Sequence, residues 1–586
     1  MYRTHTCNDL RASDVGSEVT LSGWVHRRRD HGGVIFIDIR DRYGVTQIVS
    51  DPEKFAEAHA NMDKVRSEFV VKITGEVSAR PEGQHNKNHD SGEIELVVKE
   101  LEILNTSLTP PFEIDQEKEV GEELRLTYRY LDLRRGRMKN NIILRSKMVK
   151  FIRDFMFEDD FIEIETPILI KGTPEGSREF LVPARLHPGN FYVLPQSPQQ
   201  LKQLLMVAGM DKYFQIARCF RDEDQRGDRQ PEFTQLDVEM SFVVQEDVMK
   251  VSEKCLIEIT EKFAPDKKIQ AKPFPVLTYH EAMNDYGIDR PDLRYELKLT
   301  DVTDLVKDCG FTVFRSVCDA GGTVKALRVP GGAKFSRKEI DEFTEVAKIY
   351  KAKGLAYIVV EEELRSPILK FFKDEEIKSI LESVGAETGD IVFFSADKWH
   401  VACEALGYVR VAIAKKMELA DENEFAFCWV KDFPMFEEDE ETGGLAAVHH
   451  PFTAPHDADE MAKEPAKSLA KAYDVILNGN EIGGGSIRIH DEPTQKKVFD
   501  ILGINNEDAE RRFGHILKAF RYGAPPHGGI AWGIDRLVML FAGEPNIREV
   551  IAFPKDQKAR DLMLGAPSQM PDKQVEELHI KVNVEE

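Results

Sequence analysis

Residues 214–242 read FQIARCFRDEDQRGDRQPEFTQLDVEMSF, a stretch that predicts two strands joined by a charged loop. The loop begins at Arg221, carries two further arginines and ends near the aromatic Phe233. Guanidinium groups make planar two-point contacts with phosphate, and an aromatic ring gives a nucleotide base a surface for stacking. The hairpin therefore predicts a nucleotide-binding element. A solvated hairpin loop is the alternative from this segment alone.

The segments around this hairpin predict an α+β protein of several domains. At roughly 100–200 residues per domain, 586 residues correspond to three or more domains. Strands and helices do not alternate regularly, which favours an antiparallel sheet in the main domain. We expect that domain in two parts, with an α/β insertion between them. The predicted boundaries are 106–140 for a linker, 141–286 and 416–560 for the main domain, 287–415 for the insertion and 561–586 for a C-terminal extension.

Residues 1–105 predict a small all-β unit that precedes the linker. Runs rich in β-branched residues, such as 34–39 and 94–98, alternate with turns marked by glycine. About five strands around one helical patch are typical of a Greek-key OB-fold barrel, whose exposed face often binds single-stranded nucleic acid. Arg27, Arg28 and Arg29 form a basic cluster in this unit.

Composition narrows the classes of protein to consider. A net charge of −24 argues against non-specific nucleic-acid binding over the whole surface, but a local basic patch remains compatible with an RNA partner. No window has ~18 consecutive apolar residues, so we expect no membrane span. Residues 1–14 are polar and lack a signal core, which predicts a cytoplasmic location. Seven cysteines without CxxC spacing predict neither a disulfide framework nor a zinc site.

A second stretch, 528–537 (GGIAWGIDRL), precedes an apolar helix that we expect to end at Gly543. Arg536 lies near the start of that helix, where its charge opposes the helix dipole. A bound phosphate or carboxylate would compensate this charge. A surface arginine beside a glycine turn is the alternative. The stretch is neither a Walker loop nor a Rossmann fingerprint.

A third stretch, 481–490 (EIGGGSIRIH), combines a carboxylate, three glycines and an arginine. Asp474 lies seven residues upstream of Glu481, and such a pair could hold Mg²⁺ together with substrate phosphates. A glycine-rich hairpin with a solvated acid pair is the alternative. The adjacent His449 and His450 are expected on opposite faces of a strand, so at most one of them should face a shared site.

Three segments, in this order, resemble the three motifs of the class II aminoacyl-tRNA synthetases. The helix and strand that end at Pro167 resemble motif 1, Phe220-Arg221-Asp222-Glu223 with its loop resembles motif 2, and Gly533-Ile534-Asp535-Arg536 resembles motif 3. Each likeness is weak alone, but three in order are specific. The likeness covers essentially the whole chain, and the insertion at 287–415 resembles the extra domain of bacterial-type aspartyl-tRNA synthetases.

The resemblance implies an ATP-dependent ligase that attaches L-aspartate to tRNA(Asp) through aspartyl-adenylate, as a cytoplasmic homodimer that uses Mg²⁺. The implied catalytic residues are Arg221, Glu481 and Arg536. The residues implied for ATP are Arg221, Asp222, Glu223, Gln230, Phe233, Glu481, Gly533, Ile534, Asp535 and Arg536. Those implied for aspartate are Glu175, Gln199, Lys202, Arg221, Asp237, His449 and Arg488, and those for Mg²⁺ are Asp474 and Glu481. Asparagine would be rejected, because a neutral amide would leave Arg488 and Lys202 buried and unpaired.

The resemblance also implies that the barrel reads the tRNA anticodon. The residues implied for this role are Arg27, Arg28, Arg29, His31, Phe36, Gln47, Gly83, Glu93 and Glu95. Phe36 would stack on a base, Gln47 would bind a base edge, and the arginines would hold phosphates. His31 and Gly83 match the relaxed subtype of the family, which charges both tRNA(Asp) and tRNA(Asn). We therefore expect tRNA(Asn) as a second partner.

Several alternatives stay open from the sequence. Within the class, they are a strictly tRNA(Asp)-specific enzyme and an asparaginyl- or lysyl-tRNA synthetase. A non-catalytic RNA-binding paralogue is expected to lack Arg221, Arg536 or Glu481, and all three are present. A simple OB-fold single-strand binder leaves residues 140–560 unexplained.

Overall fold

The structure is a computed structural model that describes residues 1–172, 177–225, 227–439 and 443–583. The chain forms two compact units, residues 1–143 with 551–567 and residues 144–550 with 568–586. No helix in these ranges is both long and apolar enough to cross a membrane.

The first unit contains a closed five-stranded barrel. Its elements are β1 (Glu18–His31), β2 (Val34–Arg40), β3 (Val45–Val49), α1 (Ala56–Lys64), β4 (Val70–Ala79) and β5 (Ile94–Asn105). The strand order is β1-β2-β3-β5-β4, and only β3 and β5 pair in parallel. Alternate residues of the strands fill an apolar interior that includes Leu21, Ile37 and Leu96. The predicted five-stranded barrel is confirmed.

A two-residue turn joins β1 to β2. Gly32 and Gly33 have φ angles of 65° and 91°, the left-handed conformation that tight hairpin turns need and that glycine adopts without strain. His31 lies just before the turn, and its ring meets that of Phe36 edge to face with centroids 6.0 Å apart. The turn therefore holds two of the predicted RNA-reading side chains next to each other.

Three helices follow the barrel, namely α2 (Glu122–Thr127), α3 (Arg129–Asp132) and α4 (Gly136–Glu158). The long α4 corresponds to the amphipathic helix expected before the strand that ends near Pro167. It buries apolar residues such as Met148, Ile152 and Phe155 at spacings of three and four, as one face of a helix does.

The second unit contains eighteen strands among its described residues. They are β6 (Ile162–Glu163), β7 (Leu181–Pro183), β8 (Phe191–Val193), β9 (Lys212–Phe220), β10 (Glu232–Ser241), β11 (Lys268–Ile269), β12 (Val276–Thr278), β13 (Leu299–Asp301), β14 (Thr323–Val329), β15 (Ala356–Val359), β16 (Ile391–Asp397), β17 (Glu424–Phe425), β18 (Phe427–Lys431), β19 (Phe436–Glu438), β20 (Leu445–Ala447), β21 (Ala472–Leu477), β22 (Asn480–Ile487) and β23 (His527–Gly533).

Its helices lie between and after these strands. They are α5 (Gln199–Val207), α6 (Gln245–Phe263), α7 (Tyr279–Tyr286), α8 (Thr303–Val306), α9 (Thr312–Asp319), α10 (Arg337–Ile349), α11 (Asp374–Ser383), α12 (Trp399–Lys416), α13 (Ala458–Lys463), α14 (Glu492–Ile501), α15 (Asn506–Phe520), α16 (Ile534–Ala542) and α17 (Asp572–Glu576). Helix α16 ends as expected at Gly543, whose φ of 66° gives a left-handed C-cap.

Eight strands form the central sheet of this unit in the order β12-β18-β21-β22-β23-β10-β9-β6. All neighbours from β18 to β9 pair antiparallel, whereas β12 and β6 at the edges pair in parallel. The predicted antiparallel sheet and α+β class are confirmed. The charged hairpin supplies β9 and β10, with Phe220 opposite Glu232 at the end that carries the loop.

A separate four-stranded antiparallel sheet, in the order β13-β14-β16-β15, lies within residues 299–397. Alternate residues of β16 belong to two different apolar clusters, Ile391 and Phe393 to one and Val392 and Phe394 to the other. Because neighbouring strand residues point to opposite faces, both faces of this sheet are covered. Helix α12 packs into the first cluster.

Candidate active site

A cavity of about 720 Å³ lies beside the central sheet. Its walls come from α5, the β9–β10 hairpin, strands β21 and β22, the start of α16, and helices α7 and α12. Arg221, Arg488 and Arg536 are far apart in the sequence, yet all three line this cavity. The topology of the sheet brings the predicted arginines together, because it places β10, β22 and β23 side by side.

Three glycines of β22 give this cavity a wall of bare backbone. A Cβ atom at Gly484 would lie 2.6 Å from Asp474 Oδ1, and one at Gly485 would lie 2.1 Å from the Gly529 carbonyl oxygen. Both distances are far shorter than a real Cβ contact. The glycines are therefore needed because a neighbouring strand and an acid occupy the space that a side chain would take.

Arg221 begins the loop of the charged hairpin and turns back over its second strand. Its guanidinium carbon lies 5.1 Å from the centroid of the Phe233 ring, a cation–π contact. Arg221 Nε is buried and has no hydrogen-bond partner among the described residues. A buried guanidinium N–H without a partner is costly, so this group is suited to an anionic ligand.

Arg536 projects from the first turn of α16 into the same cavity. Its Nη1 donates to the Glu481 carbonyl oxygen, and its Nη2 donates to Asp228 Oδ2 at 3.1 Å. The predicted compensation of its charge is thus provided here by Asp228 in the hairpin loop. This ion pair is partly exposed, and pairs of that kind contribute little, so a phosphate could replace the carboxylate at small cost.

Asp535 connects α4 to two elements that carry predicted ATP residues, β10 and α16. Its Oδ1 accepts from Arg145 Nη1 of α4 at 2.5 Å, and its Oδ2 accepts from the Thr234 backbone N–H of β10 at 2.8 Å. Arg145 Nη2 also donates to Thr234 Oγ1 at 3.1 Å. Because Thr234 follows Phe233 and Asp535 precedes Arg536, this contact fixes β10 relative to α16. Both carboxylate oxygens of Asp535 are engaged within the protein.

Four buried charges alternate around the Arg488 end of the cavity. Lys202 Nζ lies 2.7 Å from Asp237 Oδ1 and 3.4 Å from Glu239 Oε2. Arg488 donates to both oxygens of Glu239, at 3.0 and 3.2 Å, and to Ser486 Oγ at 2.6 Å. Two cations therefore face two carboxylates, which is the arrangement that makes buried charge tolerable.

Glu239 has a role that the sequence analysis missed. Burial alone would raise its pKa, but Arg488 and Lys202 hold the pKa below its ordinary value, so Glu239 stays ionised. Burial raises the pKa of Asp237, against the opposing effect of Lys202. The sequence does contain a signal for Glu239. In residues 236–240 (LDVEM), Asp237 and Glu239 are two positions apart on a buried strand and so share one face.

His449 and His450 both line the cavity, so the prediction that at most one would do so is wrong. His449 lies in a bend after β20 and His450 follows it outside any strand, so the alternation of a strand does not apply to them. Burial lowers the pKa of His449 to about 4 and that of His450 to about 3. Phe452 N–H donates to His450 Nδ1 at 3.1 Å, which leaves Nε2–H as a neutral donor. That Nε2 has no partner in the described part of the chain.

Asp474 and Glu481 approach the same glycine of the bare wall. A Cβ atom at Gly484 would lie 2.6 Å from Asp474 Oδ1 and 3.5 Å from Glu481 Oε1. Burial and the charges of Glu481 and Asp289 raise the pKa of Asp474 well above its ordinary value, as expected for carboxylates without a cation. The described residues contain no group of three or more His, Cys, Asp or Glu side chains able to hold a metal. Two neighbouring carboxylates are the kind of oxygen donors that Mg²⁺ takes when its other ligands are phosphate oxygens and water.

Comparison with known protein families identifies the domain that contains this cavity. The family profile of the tRNA synthetases class II (D, K and N) matches residues 121–557, which include every part of the cavity. The chain belongs to the class II tRNA synthetases. An OB-fold nucleic acid binding domain, of the tRNA anticodon type, matches residues 19–104 and confirms the predicted class of the barrel.

Relatives of this synthetase are similar over their full length. It is 53% identical to an aspartate--tRNA(Asp/Asn) ligase of Rubrobacter xylanophilus, covering 99% of this chain and 97% of the relative. It is equally identical to a ligase of the same name from Natranaerobius thermophilus, covering 99% and 100%. The fold resembles asparaginyl-tRNA synthetase from Pyrococcus horikoshii complexed with asparaginyl-adenylate, with a TM-score of 0.59, 19% identity, and coverage of 94% of this chain and 98% of that one.

The other residues predicted for the synthetase site are placed as follows. Those that line the cavity are Gln199, Glu223, Gln230 and Gly533. Asp222 and Ile534 do not line it. Asp222 is exposed in the loop after β9, and Ile534 is fully buried at the start of α16. Glu175 lies outside the described residues.

The barrel of the synthetase carries a polar network that crosses four strands. Arg29 Nη2 donates to Asp38 Oδ1 at 2.7 Å and to Gln47 Oε1 at 3.2 Å. Gln47 Nε2 then donates to Glu95 Oε2 at 2.8 Å. Phe36 is two residues before Asp38 on β2 and so lies on the same face. This face therefore combines an aromatic ring with groups that can bind base edges.

The three consecutive arginines do not form one basic patch. Arg27 Nε donates to Asp115 Oδ2 at 2.8 Å, whereas Arg28 Nη2 donates to Asp63 Oδ1 at the end of α1 at 2.7 Å. Alternation along β1 separates Arg28 from its two neighbours, so the expected cluster is divided between two surfaces. The remaining predicted residues of the barrel, His31, Gly83 and Glu93, are exposed.

Proposed function

We propose that this chain attaches L-aspartate to tRNA(Asp), and also to tRNA(Asn), through an aspartyl-adenylate made from ATP. The observation that carries the proposal is the convergence of Arg221, Arg488 and Arg536 on one cavity. The names of the relatives, which are aspartate--tRNA(Asp/Asn) ligases at 50–53% identity, support the same activity.

In the first step, an α-carboxylate oxygen of aspartate attacks the α-phosphorus of ATP. An O–P bond forms, the bond from that phosphorus to the bridging oxygen breaks, and pyrophosphate leaves. Arg221 neutralises charge on the α-phosphate, Phe233 stacks on adenine, and Arg536 exchanges Asp228 for the γ-phosphate. Asp474 and Glu481 would hold Mg²⁺, which would supply charge neutralisation at the phosphates. The protein's contribution is positioning and electrostatics rather than a nucleophile.

The aspartate side chain is recognised by the four alternating charges. The side-chain carboxylate contacts Arg488 and Lys202, and the α-ammonium group of the same amino acid contacts Asp237 and Gln199. Since both cations already have carboxylate partners, asparagine does not leave them unpaired, and that predicted basis of rejection is revised. The side-chain amide of asparagine nevertheless directs its N–H groups at the N–H groups of Arg488 and Lys202. Neither side can accept, and such an unsatisfied contact costs roughly 1–3 kcal/mol. The neutral Nε2–H of His450 adds a donor that suits a carboxylate better than an amide.

In the second step, the 3′-hydroxyl of the terminal tRNA adenosine attacks the aspartyl carbonyl carbon. An ester bond forms, the bond from that carbon to the phosphate oxygen breaks, and AMP leaves with the bonding electrons while the hydroxyl proton is released. Specificity for the tRNA comes from the barrel. Phe36 stacks on an anticodon base, Gln47 and Glu95 bind base edges, and Arg27 and Arg29 hold phosphates.

The proposed charging of tRNA(Asn), in addition to tRNA(Asp), rests on His31 and Gly83. Gly83 has a φ of 86° with open space around it, so a lysine there would strain the backbone. Aspartylation of a tRNA(Asn) transcript, with tRNA(Asp) as the positive control, tests this directly. Activity on tRNA(Asp) alone would leave a strictly specific enzyme and refute the relaxed specificity.

A homodimer in the cytoplasm, where aminoacyl-tRNA is used, completes the proposal. The region that resembles motif 1 and the segment that follows it expose large apolar side chains, and a partner subunit would cover them. Those 45–60% exposed between residues 157 and 191 are Phe157, Ile162, Ile168, Leu169, Leu181 and Phe191. Sedimentation should give about twice the mass of 66.7 kDa. A monomer at micromolar concentration would contradict this part.

The decisive experiment is amino-acid-dependent exchange of pyrophosphate into ATP. We expect exchange with aspartate and none above background with asparagine or lysine. Exchange driven by either of the other two amino acids would assign the chain to an asparaginyl or lysyl enzyme. Absence of all three activities would favour a non-catalytic RNA-binding paralogue.

A further inference from the structure

Helix α12, which belongs to the four-stranded sheet region rather than to the central sheet, forms part of the cavity wall. His400, Glu404 and Tyr408 line the cavity at successive spacings of four, which places them on one face of the helix. The proposed roles in ATP and aspartate binding use none of these residues. We call this face, with the neighbouring Tyr279 and Asp289, the α12 wall.

The α12 wall is held firmly against the region that bears the reaction. Gly287 and Gly407 meet so closely that a Cβ atom on Gly287 would lie 2.3 Å from the Cys403 carbonyl oxygen. Arg290 Nη2 donates to Tyr408 Oη at 3.2 Å, and the rings of Tyr408 and Tyr350 stack with centroids 3.5 Å apart. The wall is therefore a fixed surface and can position a ligand.

Aromatic rings connect the α12 wall to the aspartate pocket. The ring centroid of Tyr279 lies 5.2 Å from that of Phe433, which in turn lies 4.5 Å from that of His449. All three residues line the cavity. A ligand on the wall thus lies next to the place where the aspartyl group is made.

The chemistry of the α12 wall does not suit phosphate. Among the described residues that α7, α12 and the turn after α7 contribute to the cavity, none is lysine or arginine. Glu404, His400 and Asp289 instead offer acceptors, and Tyr279 offers a ring. Carboxylates commonly accept hydrogen bonds from ribose hydroxyls, and aromatic side chains stack on unpaired bases. A neutral nucleoside rich in donors fits this wall better than ATP phosphates or pyrophosphate, because the neighbouring Arg290 donates to Tyr408 and does not line the cavity.

We propose that the α12 wall binds the terminal adenosine of the tRNA, with Glu404 accepting a hydrogen bond from its 2′-hydroxyl. This rests on the proposed function, because the second step needs that nucleoside beside the aspartyl carbonyl. Its 3′-hydroxyl is then free to attack the carbonyl carbon. The inserted region would thereby contribute to transfer and not to adenylate formation.

The test separates the two steps in Glu404→Ala and His400→Ala. We expect aspartate-dependent pyrophosphate exchange within about twofold of the wild type, and single-turnover transfer from bound aspartyl-adenylate to tRNA(Asp) slowed about tenfold or more. Retained exchange also shows that the variants fold. The matched control is Glu342→Ala, which removes an exposed glutamate of α10 that does not line the cavity and should change neither step.

A modified substrate then tests the contact itself. With tRNA(Asp) ending in 2′-deoxyadenosine, the wild type should lose about as much transfer rate as Glu404→Ala loses with normal tRNA, and the variant should lose little more. Equal losses in exchange and transfer, no loss in either step, or a full additional loss with the deoxy substrate would each overturn the proposal. If the wild type shows no aspartate-dependent exchange, the proposed function itself has failed, which is a different result.

Discussion

The arginines of the barrel and those of the cavity differ in what surrounds them. Arg27 is 51% exposed and pairs with Asp115 at the surface, whereas Arg488 is 6% exposed and pairs with a fully buried glutamate. Exposed pairs contribute about 0–1 kcal/mol, while breaking a buried pair costs about 3–5 kcal/mol. The barrel can therefore exchange its carboxylate partners for RNA phosphates at little cost. The cavity keeps its charges fixed for a small substrate.

The largest effect expected from this difference is in Arg488→Leu. Loss of the guanidinium removes a contact to the substrate carboxylate and leaves Glu239 with Lys202 alone. We expect aspartate-dependent pyrophosphate exchange to fall by at least about 10³-fold, with ATP affinity changed by less than about threefold. Exchange kinetics and calorimetric titration with ATP measure the two quantities.

The control for that variant is Arg27→Leu, which removes an exposed arginine of the barrel. It should leave exchange unchanged and alter only reactions that include tRNA. Near-wild-type exchange in Arg488→Leu would show that the buried array does not bind aspartate. A thermal unfolding scan of both variants separates loss of binding from loss of fold.

A smaller effect is expected from Arg145→Ala, which acts at the edge of the cavity. Arg145 is not itself predicted to bind ATP or aspartate. Through Asp535 and Thr234 it fixes the strand of Phe233 and the helix of Arg536. We expect the KM for ATP in the exchange reaction to rise about 10-fold to 100-fold, with the KM for aspartate nearly unchanged. Arg145→Lys should recover part of the loss. A parallel rise in both KM values would indicate general damage to the fold instead.

The next largest effect is expected from substitutions in the barrel, on reactions that include tRNA. Phe36→Ala should lower kcat/KM for tRNA(Asp) about 5-fold to 150-fold, because stacking on one base contributes about 1–3 kcal/mol. Arg29→Ala, on the same face, should weaken tRNA binding and reduce its dependence on salt. Arg28→Ala is the matched control, since its side chain is held by Asp63 on another surface. Equal effects of Arg28→Ala and Arg29→Ala would contradict the division of the cluster.

The sequence predicted the elements whose residues are close along the chain. The hairpin of β9 and β10, the helix that starts after Gly533, and the barrel strands each depend on local periodicity and turn residues, and the structure confirms them. The convergence of Arg221, Arg488 and Arg536 in one cavity was supplied by a family resemblance and not by pattern. No spacing in a single sequence specifies that β22 lies beside β23.

The parts that were not predicted depend on partners distant in sequence. Glu239 and Arg488 are 249 residues apart, and Asp535 and Arg145 are 390 residues apart. Other differences from the prediction have local causes. Strand alternation divides the consecutive arginines of β1 between two surfaces, and the adjacent histidines follow β20 and do not lie in a strand. The contribution of α12 to the cavity had no local signal at all.

The smallest effect concerns one histidine of the barrel. Arg40 Nη1 lies 2.8 Å from His26 Nδ1, which must accept this hydrogen bond, and burial with the Arg40 charge lowers the His26 pKa to about 4. Protonation is therefore favoured in the unfolded chain, so the free energy of unfolding should fall as pH decreases from about 6.5 towards 4. Between pH 6.5 and 5 we expect a loss of about 1–2 kcal/mol in the barrel, measured by hydrogen exchange of its peptides after correction for the intrinsic rate.

His26→Asn keeps an acceptor near the position of Nδ1 and cannot be protonated, so it should remove most of this pH dependence. His450→Asn is the matched control, because His450 is also a buried neutral histidine but belongs to the cavity. It should leave the slope of the barrel peptides unchanged. If both variants flatten that slope equally, the pH response belongs to the whole chain, and the barrel and the cavity do not behave as electrostatically separate regions.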